Sequence, residues 1–432
     1  MSEKHAREAD NFSNAAKYER DDVKFLIEKY PDVSPFVILK IDVQRRGVHY
    51  TESALSQFDP KVHQASNASR IFGIRDKNIH DSLIPSSLLL RDGTSICVDA
   101  VSPDSNSYLV EYFDGKLVLT DNGEIYEEVE YWEKPSFFDK KTSSGKPMYT
   151  IASARPQRLS LAPYGYCHFW DNGKGCLYCD VFTQAKLRKA TDKEGYSIKL
   201  DPRDISETYH EALKEEGRFT TTSLTSGSNT HGFEPFDAEV DYYIDVLKAM
   251  GENFAIKKFP VQLTGTAYNE RQLRRLYEET GLMGYTSDIE VLDPELFKWI
   301  CPGKSEWIGF DNWKKRLYIA VDIFGRGNVN SGIVGGVELA QPNGFKSEDE
   351  ALKHTLAGVE ELAEHGVTVV NTVWIPRQGS YFEHLKIPSL DYYVRLAKGI
   401  YDITEKYDLT NDTDDFRRCG NHPNSDLLRL HK

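Results

Sequence analysis

The segment CHFWDNGKGCLYCD, residues 167–180, gathers three of the chain's six cysteines within 13 residues. Eight residues separate Cys167 from Cys176, and two separate Cys176 from Cys179. A structural zinc site usually closes with four ligands. His168 would complete a Cys3His set, but it directly follows Cys167, and adjacent ligands are awkward geometrically. No second C-x2-C or H-x3-H element lies nearby. A four-iron cluster has other needs: three cysteines hold three irons and leave the fourth open to a substrate or cofactor. Gly173 and Gly175 let a loop fold tightly around such a cube. On spacing alone, an open cluster, a zinc site and cysteines without metal all stay in play.

The remaining cysteines, Cys97, Cys301 and Cys419, are far apart and have no C-x2-C partner, so a second cluster is not expected. Cys97 alternates with apolar neighbours and reads as a buried strand residue. Cys419 lies in RRCGNHPNSD near the C-terminus. If that tail folded over the site, Cys419 or His422 could serve as hydrogen-atom or proton donor.

The formal charge of −14 argues against nucleic acid or an anionic membrane as the main partner. No apolar run approaches membrane-spanning length, and MSEKHAREAD lacks a signal-peptide core. A cytoplasmic location is expected, where clustered cysteines are metal or redox ligands more often than disulfides.

Two regions with different rhythms must position these residues. Up to about residue 150 there is no repeating strand–helix pattern. Residues 8–30 read as helical and PFVILKIDV (35–43) as a strand. From 88 to 132 come short alternating runs, SICVDAV, SYLVEYF, KLVLTD and EIYEEVEYW, with Asp114-Gly115 and Asn122-Gly123 as hairpin turns. This reads as an α+β domain over 1–150, followed by a polar connector, KPSFFDKKTSSGKPM.

From Arg158 the pattern becomes strand then helix, six times over. Strands are expected at 158–162, 220–227, 259–265, 284–291, 328–338 and 367–376. Helices are expected near 203–215 and at 236–251, 270–281, 294–300, 312–325, 347–366 and 389–407. CPGK (301–304) reads as a helix stop, and GRGNV (325–329) as a turn before the fifth strand. Such alternation builds a parallel sheet covered by helices, as an open sheet or a partial barrel. Either way ligand groups gather at the C-terminal strand ends, and the unusual residues fall there.

Taken in this order, the cysteines and strand ends resemble the radical S-adenosylmethionine superfamily over roughly residues 155–400. The resemblance implies a partial (β/α)6 TIM-type barrel over 155–407, with the N-terminal α+β domain before it and a tail, 408–432, that could cover the mouth. It implies that Cys167, Cys176 and Cys179 bind a [4Fe-4S] cluster, with Tyr178 near the adenine of S-adenosylmethionine. Ser226, Gly227 and Ser228 stand where the family's G-G-E segment receives the methionine amino group. Asp288 and Glu290 correspond to ribose-binding residues. In SGIVGGVE, Ile333, Gly335 and Glu338 fit G-x-I-x-G-x-x-E, and Trp374 to Pro376 match the last strand's contact to adenine.

Three departures stand out: C-x8-C-x2-C in place of C-x3-C-x2-C, no Glu in TSGS, and Ser331 in place of the first glycine. The amino-group contact must then come from hydroxyls, carbonyls or another carboxylate. Read out of context, Asp288 and Glu290 are ordinary solvated acids, and Glu338 is a structural partner.

The implied activity is reductive cleavage of the sulfonium to a 5′-deoxyadenosyl radical that modifies a small-molecule substrate, with flavodoxin or ferredoxin as electron donor. Transfer of a 3-amino-3-carboxypropyl group is the alternative within the chemistry. A zinc-stabilised α/β binding protein and a metal-free barrel using Glu290 and Glu338 are the alternatives outside it.

Overall fold

The computed structural model describes residues 21–67, 83–101, 106–181, 183, 198–377, 379–410 and 420–430. Residues 8–20 of the expected first helix and Cys419 lie outside them.

The N-terminal region opens with two helices, α1 (Val23–Lys29) and α2 (Pro35–Arg46), then β1 (Val48–Tyr50) and the short α3 (Glu52–Leu55). A two-stranded pair follows, β2 (Ala65–Asn67) and β3 (Leu83–Pro85), then β4 (Leu88–Leu90) and β5 (Ser95–Ile96). The meander is β6 (Tyr108–Phe113), β7 (Lys116–Asp121) and β8 (Glu124–Tyr131). Its two turns have positive φ at both central residues, 48° and 81° at Asp114-Gly115 and 50° and 81° at Asn122-Gly123. That geometry matches the twist of paired strands, which is why Asp-Gly and Asn-Gly mark it. The six-stranded sheet runs β1-β6-β7-β8-β4-β5.

The expected strand at 35–43 is instead the middle of α2. Pro35 sits at its first turn, where the missing N–H is harmless, and Gly47 (φ 77°) ends it. Every residue from Val37 to Gln44 is buried. With no exposed face the sequence shows no 3.6-residue period, and a short continuous apolar run is ambiguous between helix and strand. Its polar members have partners from distant segments: Lys40 pairs with Asp426, and Asp42 accepts from Tyr108 and Arg45.

The connector after β8 clamps one helix of the second sheet. Phe137 is fully buried, while the Ser136 amide and hydroxyl both donate to Glu215, just beyond α4 (Pro202–Leu213). Ser144 donates to Asp204 at 2.7 Å.

The second sheet has seven strands: β9 (Ala152–Arg155), β10 (Arg158–Leu161), β11 (Thr221–Thr225), β12 (Val261–Thr264), β13 (Gly284–Thr286), β14 (Val329–Gly335) and β15 (Thr368–Val373). From β10 to β15 neighbours are parallel and in chain order, while β9, not expected from the sequence, pairs antiparallel with β10. The intervening helices are α4, α5 (Asp237–Gly251), α6 (Glu270–Glu279), α7 (Pro294–Ile300), α8 (Pro302–Trp307), α9 (Phe310–Phe324), α10 (Glu348–Glu364) and α11 (Leu390–Lys406). CPGK does stop a helix, at Cys301, but Pro302 at once begins α8. The strand expected over 284–291 is shorter, because the chain leaves the sheet at Ser287 and returns for a single bridge between Glu290 and Ile333.

Alternation assigns the two faces of this sheet. Thr222 meets Tyr209 of α4, and Tyr285 stacks on Phe324 of α9, so those positions face the helices. The other face carries a polar row across the strands: Ser160 with Ser223, and Arg158 with Gln262, which donates to Thr286. A helical layer cannot sit on such a row without its own polar partners, so this is the face turned away from the helices.

The last helix, α12 (Pro423–Leu430), lies along β15. Asn424 Oδ1 accepts the Asn371 N–H at 3.1 Å, and its Nδ2 donates to the Val369 carbonyl at 3.2 Å. One side-chain amide thus stands in for a neighbouring strand at the sheet's far edge. His422 enters this helix, its carbonyl accepting from the Ser425 N–H. No helix among the described residues is long and apolar enough to cross a membrane.

Candidate active site

The cysteine loop leaves β10 at its C-terminal end and is tied to the next strand's turn. Tyr164 N–H donates to Ser226 Oγ at 2.9 Å, and His168 N–H donates to the Ser228 carbonyl at 2.8 Å. Gly227 sits so close beneath that a Cβ there would lie 2.3 Å from the Tyr166 oxygen and 2.5 Å from Cys167 Cβ. Only a residue without a side chain permits this approach. Burial pushes the Cys167 thiol up to about 11 and Cys179 well above its ordinary value. Cys176 goes the other way, pulled down mainly by a hydrogen bond with Cys301. Cys167 and Cys179 both feel the charge of Cys176. Among the described residues no three His, Cys, Asp or Glu side chains already converge as a metal-ion site.

Ser226, Gly227 and Ser228 are therefore brought against Cys167. The acid absent from TSGS has a counterpart on α5. Glu239 is buried, accepts the Asn229 N–H at 2.5 Å, and also accepts from the Thr266 amide and hydroxyl and from Tyr268. The Thr266 hydroxyl is also hydrogen-bonded to the Ser228 hydroxyl, at 2.7 Å. Burial raises Glu239 to about 7 despite these donors. With Tyr164, Gly227, Asn229 and Tyr243 it lines a small pocket. Sequence reasoning missed it, although a signal was present. Glu239 shares a helical stripe with Phe236, Tyr243 and Val246, and an acid on an apolar stripe is a buried acid. His168 stands at the pocket's edge, bonded to the Tyr164 hydroxyl at 2.7 Å and edge-on to His231, and burial lowers its pKa.

A second group forms where the chain leaves β13. Asp288 Oδ1 accepts the Gly332 N–H at 2.7 Å, and Glu290, with φ of 72°, bridges to β14 through its own backbone. Glu290's carboxylate receives Lys304 Nζ at 2.5 Å and the Tyr178 hydroxyl, and burial raises its pKa. Tyr178, Glu290 and Cys176 are thus brought together. Lys304 and Cys301 were not anticipated as part of this group, since CPGK reads only as punctuation.

The fifth- and sixth-strand residues are placed differently. A Cβ on Gly335 would meet Leu396 of α11 at 2.6 Å, so Gly335 and Ile333, two residues apart, share the helix-covered face. Gly332 and Val334 occupy the opposite face. Glu338 is buried and accepts from the Gly336 N–H, Thr355 and Tyr392, fixing α10 and α11. Trp374 N–H pairs with the Gly335 carbonyl at 3.1 Å and its own carbonyl accepts from Tyr393, while its buried indole N–H has no hydrogen-bond partner among the described residues.

The donor chemistry fits an iron–sulfur cluster. Two of the three thiols in this loop, Cys167 and Cys179, are held where burial disfavours their ionisation, and a bound metal would reverse that balance by holding thiolates. A glycine cradle lies directly beneath the first of them.

No family model matches the sequence. Bacteriochlorophyllide c C-7(1)-hydroxylase of Chlorobaculum limnaeum is 30% identical over 278 residues, 62% of this chain and 65% of that protein. The chain therefore spans just under two-thirds of that relative's length. A radical SAM methyltransferase from Sphaerobacter thermophilus aligns at 12% identity and a TM-score of 0.40, over 72% of this chain and 79% of that one. The cobalamin-dependent S-adenosylmethionine radical enzyme OxsB aligns at 12% identity and 0.33, over 74% and 48%. Both superpositions are too loose to bear on the site.

Proposed function

We propose that the protein holds a [4Fe-4S] cluster through Cys167, Cys176 and Cys179 and binds S-adenosylmethionine beside it, at the mouth of a partial (β/α)6 barrel. The observation that carries this is the docking of a three-cysteine loop, by two backbone-directed hydrogen bonds and a glycine cradle, onto the turn after the next parallel strand. When bound, the pair supplies one-electron cleavage of the sulfonium and hence a radical able to attack an unactivated carbon.

The chain's own residues bind and orient. Ser226 and Ser228 fix the cysteine loop, and Glu239 holds the loops after β11 and β12 in register through Asn229 and Thr266. Glu239 is the carboxylate we assign in place of the missing G-G-E acid. Tyr178 is held at the cluster side by Glu290. Asp288 and Glu290 serve the ribose through whichever oxygens their present partners leave open.

The relative's named activity, a hydroxylation, favours a reaction that begins by removing a hydrogen atom from a carbon of a small organic substrate. An electron carrier such as flavodoxin or ferredoxin and a cytoplasmic setting belong to the same reading.

The test is anaerobic purification with iron and sulfide analysis, then dithionite and S-adenosylmethionine. About four irons and sulfides per chain, with 5′-deoxyadenosine and methionine formed, is the expected result. Methylthioadenosine in place of 5′-deoxyadenosine would favour 3-amino-3-carboxypropyl transfer. One zinc per chain and an unconsumed sulfonium would overturn the reading.

A further inference from the structure

The junction between α7 and α8 is built into the underside of the cysteine loop. Leu177 N–H donates to the Ile300 carbonyl at 2.8 Å, and Gly303 N–H donates to the Lys174 carbonyl at 3.0 Å. A Cβ on Gly303 would lie 2.7 Å from both the Lys174 oxygen and the Phe169 ring. These contacts flank Cys176 on one side and Cys301 and Lys304 on the other. Cys301 is fully buried and hydrogen-bonded to Cys176.

Lys304 follows immediately, its side chain 12% exposed. Its ammonium donates to Glu290 Oε1 at 2.5 Å and to the Asp288 carbonyl at 2.6 Å, and lies 4.7 Å from the Trp313 ring centre. A buried cation is expensive to desolvate, but the negative groups around Lys304, Glu290 first, outweigh that and hold the ammonium charged. Its charge acts on Cys176 more strongly than that of Glu290 does. A cluster that accepts an electron gains negative charge, and a fixed cation at low dielectric stabilises the reduced form.

Resting on the function proposed above, we propose that Lys304 is a positioning residue whose buried ammonium, on the junction hydrogen-bonded to the cysteine loop, raises the reduction potential of the cluster, with Glu290 as its moderating counter-charge. The rise eases one-electron reduction by the physiological donor.

The experiment compares wild type, Lys304→Met, Lys304→Arg and Glu290→Gln, each reconstituted anaerobically and assayed for iron and sulfide. Potentials are read by redox titration of the reduced-cluster EPR signal without S-adenosylmethionine. Lys304→Met should lower the ratio of reduced to oxidised cluster at a fixed poise about tenfold, which is about 59 mV for a one-electron couple. Lys304→Arg should stay near wild type, and Glu290→Gln should move the potential upward.

A Lys304→Met protein with full iron content and the wild-type potential would overturn the inference and leave the proposed function standing. If Lys304→Met fails to fold or to load iron, Glu290→Gln decides, since it keeps the cation: an upward shift supports the inference and an unchanged potential overturns it. A wild-type chain that takes up no iron overturns both.

Discussion

At the scale of single residues, Glu239 is the group whose ionisation the fold most directly contests. Its pKa rises from an ordinary 4.5 to about 7, because burial outweighs its hydrogen bonds. Between those values the folded chain binds a proton that the unfolded chain has released. Stability therefore falls as pH climbs from about 4.5 to about 7, and levels off above. Urea unfolding of wild type and Glu239→Gln at pH 5 and pH 8 should show this: the variant gains on wild type by up to about 3 kcal/mol between the two conditions. Equal pH dependence in both proteins would mean that Glu239 is not the titrating group.

The cysteines were legible because their spacing itself is the signal. Lys304 was not, because CPGK reads as a helix stop and its bonds to Glu290 and Asp288 exist only in the fold, while Glu239 left only the weaker trace of an acid on an apolar stripe. Ile333 is a different case. Its place in SGIVGGVE is clear, yet only the strand's alternation, anchored by Gly335 against Leu396, says which way it faces.

At the scale of elements, the junction of the cysteine loop with the turn after β11 depends on Gly227. Gly227→Ala would force a Cβ into the Tyr166 carbonyl and Cys167, both backbone or near-backbone atoms that cannot swing aside. Overpacking of this kind costs about 1–3 kcal/mol. We expect a lower thermal midpoint and an iron content well below that of wild type after identical reconstitution. Retention of full iron by Gly227→Ala would show that the loop can dock elsewhere.

The edge of the sheet makes a second prediction. Asn424→Leu removes both hydrogen bonds to β15 and strands the Asn371 N–H and the Val369 carbonyl. Each buried group left unsatisfied costs about 1–3 kcal/mol. Hydrogen exchange should then speed up at Asn371 before it does in β12 or β13; uniform protection across the sheet would count against the clamp.

Most elements could be read from the sequence, since six strands and their helices fall within a few residues of the expected bounds. The failures share a cause. The sequence of α2 has no polar face because the protein surrounds it. β9 was unreadable because its four residues, ASAR, acquire strand character only by pairing with β10.

At the scale of the molecule, the two ends of the described chain are joined through α2 and α12. Lys40 and Asp426 form an ion pair with both side chains essentially inaccessible, at 0% and 1% exposure. Removing one partner strands a buried charge. Lys40→Met alone should therefore cost about 3–5 kcal/mol, whereas Lys40→Met with Asp426→Leu should recover most of the loss. Equilibrium denaturation of the two single variants and the double variant would decide, and additive losses would contradict the pairing.

The Asn424 clamp also has a consequence for how the protein is made. The contacts of α2 with the last helix span 386 residues, and β15 is translated 51 residues before Asn424. A nascent chain must carry β15 with a bare edge until that asparagine clears the ribosome, and the closing contacts with α2 are among the most distant the sequence offers. During that interval, rather than in the finished protein, the sheet is open to pairing with the edge of another copy. Ribosomes stalled late in the message would release the most aggregation-prone form of this protein.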